Sequence, residues 1–281
     1  MTQLKGDRWF FYPTQTEYGH PDEFGLSFES VHFESEGNRL HGWYFPSEGR
    51  AKGTIVHCHG NAGNITGHFK YVTWMPKRGW NVFCFDYRGF GRSQGTPTRP
   101  GAVADTHAAV NYLMTRSDVD PTRIALFGQS LGGAVGIVVA AGRNDLCAVA
   151  IEGAFSSYRR AARFACKNTW FLWGAALWLP QLLIEAGIDP IEHVADISPT
   201  PTLFVTGTKD RVCDPKQLIA LYEKAGEPKS IWVIEGGGHV GAMTQTEGMG
   251  ADRFDDFLTQ CVAGFDTRHQ DTEQFVTEIR H

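Results

Sequence analysis

Six short, nearly continuous apolar runs, separated by stretches long enough for a helix, constrain this chain more than any other feature. They are Thr54 to Cys58, Asn81 to Phe85, Arg123 to Phe127, Ala148 to Ile151, Thr202 to Thr206 and Ser230 to Ile234. A strand with one wet face alternates apolar and polar residues, whereas a strand covered on both faces has no reason to. Strands of the second kind, alternating with helix-sized gaps, imply an α/β architecture with a parallel sheet flanked by helices. Upstream, Leu26 to Pro46 does alternate, with Val31 and Phe33, then Leu40, Trp43 and Phe45, around Glu36-Gly37-Asn38. That pattern predicts two antiparallel strands joined by a Gly-Asn turn. Between Gly101 and Arg116, Val103, His107, Val110 and Leu113 or Met114 recur at helical spacing, and Asp105 is expected in the first turn, where its charge suits the dipole.

A chain of 281 residues can bury roughly 73% of its surface, so it needs neither disulfide nor metal staples. Its formal net charge of −5 argues against a nucleic-acid binder, which needs a basic face. The cysteines at 58, 84, 147, 166, 213 and 261 are scattered, with no C-x-x-C pair. They are expected as small buried hydrophobes in a reducing compartment. Met1 to Pro13 carries charges at Lys5, Asp7 and Arg8 around an apolar run of only four residues, too short for a signal peptide. A soluble cytoplasmic enzyme is the expectation.

The sharpest local signal is Gly128-Gln-Ser130-Leu-Gly132-Gly133, which follows the run Arg123 to Phe127 and precedes a small-residue helix. A serine at the tip of a tight strand-to-helix turn takes a strained backbone, and glycines two before and two after let strand and helix pass closely. Such a serine needs a base, and the base an orienting acid. Leu203 to Asp210 is a strand ending in a loop aspartate, and Ile231 to His239 a strand ending in a glycine-rich loop with one histidine. Both loops leave the carboxyl ends of parallel strands, the edge where open α/β sheets bind ligands. Ser130, His239 and Asp210 are therefore the candidate nucleophile, base and acid. Asp214 is the rival acid, with Asp210 then a loop cap, and Glu235 is a weaker one.

A triad also needs two backbone donors for the developing oxyanion. One is expected from Leu131, the other from His59-Gly60-Asn61-Ala62-Gly63-Asn64, with Asn61 the first candidate and Ala62 the second. His57 and His59 form an H-x-H, but no further ligand is placed by sequence, so no metal and no cofactor are expected. Gly89, Gly91 and Gly95 are spaced one residue too long for a dinucleotide fingerprint and read as a tight loop after a buried strand.

With these motifs the chain resembles the α/β-hydrolase superfamily, and within it the Bem46-like serine hydrolases. The resemblance is carried by His59 to Asn64, Asp86-Tyr-Arg-Gly-Phe-Gly-Arg-Ser-Gln-Gly95, Gly128 to Gly133 and the Asp210 and His239 loops, over roughly residues 10 to 263. It implies a mostly parallel eight-stranded sheet with one edge strand antiparallel, a helical lid inserted after the sixth strand, and ester or thioester substrates. These 281 residues do not show the cysteine-rich N-terminal anchor of the depalmitoylating branch, so protein depalmitoylation is not the expectation. One catalytic domain is expected, with its core at about 26–152 and 200–263, a lid at 153–199 and a peripheral tail at 265–281.

The expected lid holds three of the eight tryptophans within nine residues. Trp170, Trp173, Leu177 and Trp178 would share one helical face. Such a face either packs on the core, roofs a pocket for an apolar acyl group, or touches a membrane or a second subunit. The expected reaction is two-step acyl transfer to water from a small or lipid-like acyl substrate. The rivals are a peptidase of the proline-aminopeptidase type and a non-catalytic binding module.

Overall fold

The computed structural model describes residues 4–169, 172–246 and 248–278, with side chains described up to residue 264. The alternating segment folds as β1 (Glu29–Ser35) and β2 (Asn38–Phe45), paired antiparallel with Phe33 opposite Leu40. Their connection is a two-residue turn, Glu36 and Gly37, both at positive φ (48° and 77°), and Asn38 already belongs to β2. Two successive left-handed residues match the twist of the flanking strands, which moves the turn one residue ahead of the expected Gly-Asn pair.

Five of the apolar runs form β3 (Gly53–Cys58), β4 (Trp80–Phe85), β5 (Ile124–Gln129), β6 (Ala148–Glu152) and β7 (Thr202–Gly207), buried at every residue. The sixth, β8 (Lys229–Ile234), is only partly buried because it is the edge strand. The sheet runs β1-β2-β4-β3-β5-β6-β7-β8, parallel from β4 to β8. The reversed strand is β2, one place in from the edge, because the hairpin turns the chain back before it pairs with β4.

Helices α1 (Ile65–His68), α2 (Arg99–Met114), α3 (Leu131–Ala141), α4 (Tyr158–Lys167), α5 (Leu179–Leu183), α6 (Pro190–His193), α7 (Pro215–Lys224) and α8 (Met249–Glu278) complete the chain. Two apolar clusters lie on the two sides of the sheet, one around Phe83, Leu126 and Ile151, the other around Trp43, Phe127 and Phe254. α8 carries its helical backbone into the stretch expected as a peripheral tail.

The stripe expected on α2 is displaced. Its buried face is Ala102, Asp105, Thr106, Ala109, Val110 and Leu113, while Val103 and His107 are half-exposed. Asp105 is not in the first turn. It is fully buried, accepting the Arg88 backbone N–H at 2.8 Å and its guanidinium at 2.7 Å. A buried charge needs such a partner, and this one turns an apparently polar position into core.

Between β6 and β7 lie α4, a 3₁₀ turn (Trp173–Ala175), α5 and α6. No single helix carries Trp173, Leu177 and Trp178, because the chain breaks between the 3₁₀ turn and α5, where Pro180 can occupy only a first turn. These three side chains are 69%, 68% and 57% exposed, which overturns the reading that they pack on the core. Trp170 lies outside the described residues. All six cysteines are free thiols, five of them buried. No described helix is long and apolar enough to cross a membrane.

Candidate active site

The order of strands creates the site. β3 is followed by β4 on one side, and β5 then crosses back to pair with β3 on the other. Loops leaving the carboxyl ends of β3 and β5 diverge there, opening a crevice at a topological switch point. The loop after β3 begins at His59, and Ser130 follows β5 directly.

Ser130 sits at φ 55°, ψ −116°, a region that a residue with a Cβ occupies only when its surroundings hold it there, at a cost of about 1–3 kcal/mol. The amide of Ser130 donates to the Glu152 carbonyl at 2.8 Å, and its carbonyl receives the Gly133 and Ala134 amides that start α3. Gly132 is required: a Cβ there would lie 2.0 Å from the Cys58 carbonyl oxygen.

β7 and β8 pair in parallel with Gly207 opposite Ile234, which sets the two following loops side by side. His239 Nδ1 donates to Asp210 Oδ2 at 2.7 Å, and the other carboxylate oxygen accepts the amides of Val212 and Cys213 at 2.8 and 2.9 Å. That bond orients the imidazole and leaves Nε2 as the acceptor. Asp214 instead caps α7 by accepting the Lys216 amide, and Glu235 accepts from the Thr208 hydroxyl. The roles weighed for Asp210 and Asp214 are thus the reverse of the rival reading. The His239 ring lies beside Gly153, where an added Cβ would be 3.3 Å from it. Gly153 is next to Glu152, so nucleophile and base flank one short stretch of backbone. Among the described residues no hydrogen bond joins the Ser130 hydroxyl to His239, and the buried Cys213 thiol lies nearby. Burial and then the Asp210 charge push this thiol up to about 12, with the hydroxyl acting the other way.

The loop after β3 presents Gly60 against Ser130, with 3.5 Å between a Cβ placed on Gly60 and the Ser130 Cβ. The amides of Asn61 and Leu131 donate to no other group among the described residues. The Ala62 amide is occupied by the Asn61 side-chain oxygen at 2.8 Å, which removes it as a donor. The N-terminal segment staples this loop, a feature with no local sequence signal. Asn61 Oδ1 also accepts the Tyr12 amide, Gly63 bonds to Tyr12 and Thr14, and the Asn64 side chain donates to the Thr14 and Thr16 carbonyls.

A buried polar chain behind the site also escaped sequence reasoning. The Cys84 thiol lies 3.6 Å from His57 Nδ1, His57 Nε2 is 2.9 Å from Gln129 Oε1, and Gln129 Nε2 donates to Glu152 Oε2 at 2.8 Å. Glu152 Oε1 accepts the Ala242 amide at 2.8 Å, three residues beyond His239. The donors all point toward Glu152. Burial raises the Glu152 carboxyl, the Gln129 and Ala242 hydrogen bonds oppose that rise, and burial lowers His57 to about 4. His57 is therefore a structural donor. His59 Nδ1 bonds to the Gly60 carbonyl, and no group of three or more His, Cys, Asp or Glu that could hold a metal occurs among the described residues. Gly89, Gly91 and Gly95 all have positive φ, in the loop after β4.

The family model described as serine aminopeptidase, S33 matches residues 49–197. The uncharacterized protein YfhR of Escherichia coli strain K12 is 39% identical over 248 residues, which cover 85% of this chain and 82% of that one. Protein bem46 of Schizosaccharomyces pombe is 29% identical over 215 residues, covering 74% and 69%. Among solved structures, an esterase of Pyrococcus furiosus superposes with a TM-score of 0.76 at 20% identity, covering 89% of this chain and 98% of the esterase. The fold, the elbow and these likenesses agree, and the chain belongs to the serine aminopeptidase S33 family of α/β hydrolases, alongside the Bem46-like proteins.

Proposed function

We propose that this protein is a serine hydrolase that cleaves carboxylic esters or thioesters of apolar acyl groups. The observation that carries the reading is the 2.7 Å bond between His239 Nδ1 and Asp210, beside a serine held at φ 55° on the neighbouring elbow. Ser130 turns its hydroxyl toward His239 Nε2 and attacks the carbonyl carbon as the imidazole takes its proton. His239 returns that proton to the leaving alkoxide or thiolate. Water then attacks the acyl carbon, giving up a proton to His239, which passes it to Ser130 Oγ as that C–O bond breaks and the acid leaves. Asp210 holds the ring and stabilises the imidazolium. The Leu131 and Asn61 amides receive the oxyanion.

Trp173, Leu177 and Trp178, exposed in the segment that leaves β6, support an apolar acyl group by offering it a surface. Against a peptidase that grips a free amino terminus, the buried Glu152 carboxylate behind the triad already spends both oxygens on Gln129 and Ala242. A fluorophosphonate probe should label the wild-type protein and fail on Ser130→Ala and His239→Ala, with loss of 4-nitrophenyl ester turnover. Undiminished labelling of Ser130→Ala sinks the assignment.

A further inference from the structure

Four cations outside the triad line one groove. Arg160, Arg163 and Lys167 stand at i, i+3 and i+7 on α4, a single face of that helix. Lys216, in the first turn of α7, lines the same groove of about 500 Å³. The one carboxylate in the lining is Asp214, which is engaged in capping α7.

Four other arginines, Arg88, Arg99, Arg116 and Arg143, each meet an aspartate. Among the described residues none of the four groove cations has such a partner, and the buried Nε of Arg163 has no hydrogen-bond acceptor at all. Arg160, Lys167 and Lys216 are exposed and Arg163 half-buried, and an anion in the groove would offset the repulsion among these like charges.

Two chain connections lead from the groove toward the triad. Asp214, four residues beyond Asp210, is the chain neighbour of the buried Cys213. At the end of α4, the Asn168 side chain donates to the Arg211 carbonyl at 3.4 Å, one residue from Asp210.

We propose that this groove is a subsite for an anionic group, a carboxylate or a phosphate, which the substrate carries a few bonds from its ester carbonyl. The inference rests on the ester-cleaving reading of the triad and narrows its substrates to acidic esters. A guanidinium fork matches either oxyanion. The same four charges repel the free ammonium of a peptide, so the groove also counts against the aminopeptidase reading.

The test compares mono-4-nitrophenyl glutarate with 4-nitrophenyl butyrate. Wild-type protein should favour the anionic ester, and Arg163→Gln should reduce the anionic-to-neutral ratio of kcat/KM at least about tenfold, chiefly through KM, as expected for one charge-assisted bond. Arg163→Lys should restore part of it. Inorganic phosphate should raise the melting temperature of the inactive Ser130→Ala protein, and much less that of Ser130→Ala carrying Arg160→Gln and Lys167→Gln. The phosphate arm needs no turnover. If neither ester is cleaved by a Ser130-dependent route while phosphate still binds, the ester-cleaving reading falls and the anion site stands. Equal ratios in wild type and Arg163→Gln, with no phosphate effect, overturn the groove. Sedimentation with phosphatidylglycerol but not phosphatidylcholine vesicles, lost in Arg163→Gln at an unmoved ester ratio, assigns the cations to a lipid surface and overturns the subsite.

Discussion

Asp210 Oδ2 and His239 Nδ1, 29 residues apart in the chain, lie 2.7 Å apart because two neighbouring parallel strands end at the same height. The second oxygen of Asp210 is held by two loop amides, so the carboxylate cannot swing away from the ring. Asp210→Asn should therefore lower kcat by about 10⁴, the loss seen when a triad acid ceases to fix the imidazole tautomer. Asp214→Ala removes only a helix cap. It should cost about 1 kcal/mol in urea unfolding and change kcat for a neutral ester less than about tenfold.

Gly132→Ala tests the elbow independently of its chemistry. The new methyl would meet the backbone of Cys58, which belongs to β3 and cannot yield without disturbing the sheet. A loss of about 1–3 kcal/mol or more is expected, together with loss of probe labelling, although no reactive group is removed. Full labelling at full stability would show that the close approach of strand and helix is dispensable.

Glu152→Ala should be costly for a different reason. It strands the Gln129 side-chain amide and the Ala242 amide in the interior, each worth about 1–3 kcal/mol when left unmade. Chemical denaturation should show a loss of about 2–6 kcal/mol. Turnover should fall as well, since the His239 loop loses an anchor three residues from the ring.

His57 gives stability an acid limb. Burial lowers its pKa from 6.5 to about 4, so between these values the unfolded chain binds a proton that the folded protein refuses. Stability therefore falls as pH drops from 6.5 toward 4, by about 3 kcal/mol for the full shift, and does not fall further on this account below it. Replacing His57 with Gln should flatten that part of a denaturation-versus-pH profile.

Trp173→Ser, by contrast, should change stability by no more than about 0.5 kcal/mol, because the side chain is 69% exposed. A larger loss, measured by thermal or urea unfolding, would mean that the ring packs on the protein in solution.

The sequence by itself determined the sheet and the order of the chemical groups. Strands buried on both faces admit only apolar residues, so the runs of β3 to β7 stand out without any partner being known, and a strained serine turn demands its glycines locally. Asp210 was legible by its place at a strand end, as was His239. Tertiary structure alone decided what depends on distant neighbours. It made Asp105 the buried partner of Arg88, gave Asp214 the cap, occupied the Ala62 amide and left Asn61's free, and joined His57, Gln129 and Glu152 across three strands. It also broke the stretch from Trp173 to Leu183 into short turns and left Trp173, Leu177 and Trp178 in solvent. Local spacing reports which face a residue would take on an ideal helix or strand. Whether a buried polar group has a partner, or an apolar one a cover, is settled by chain segments far away in sequence.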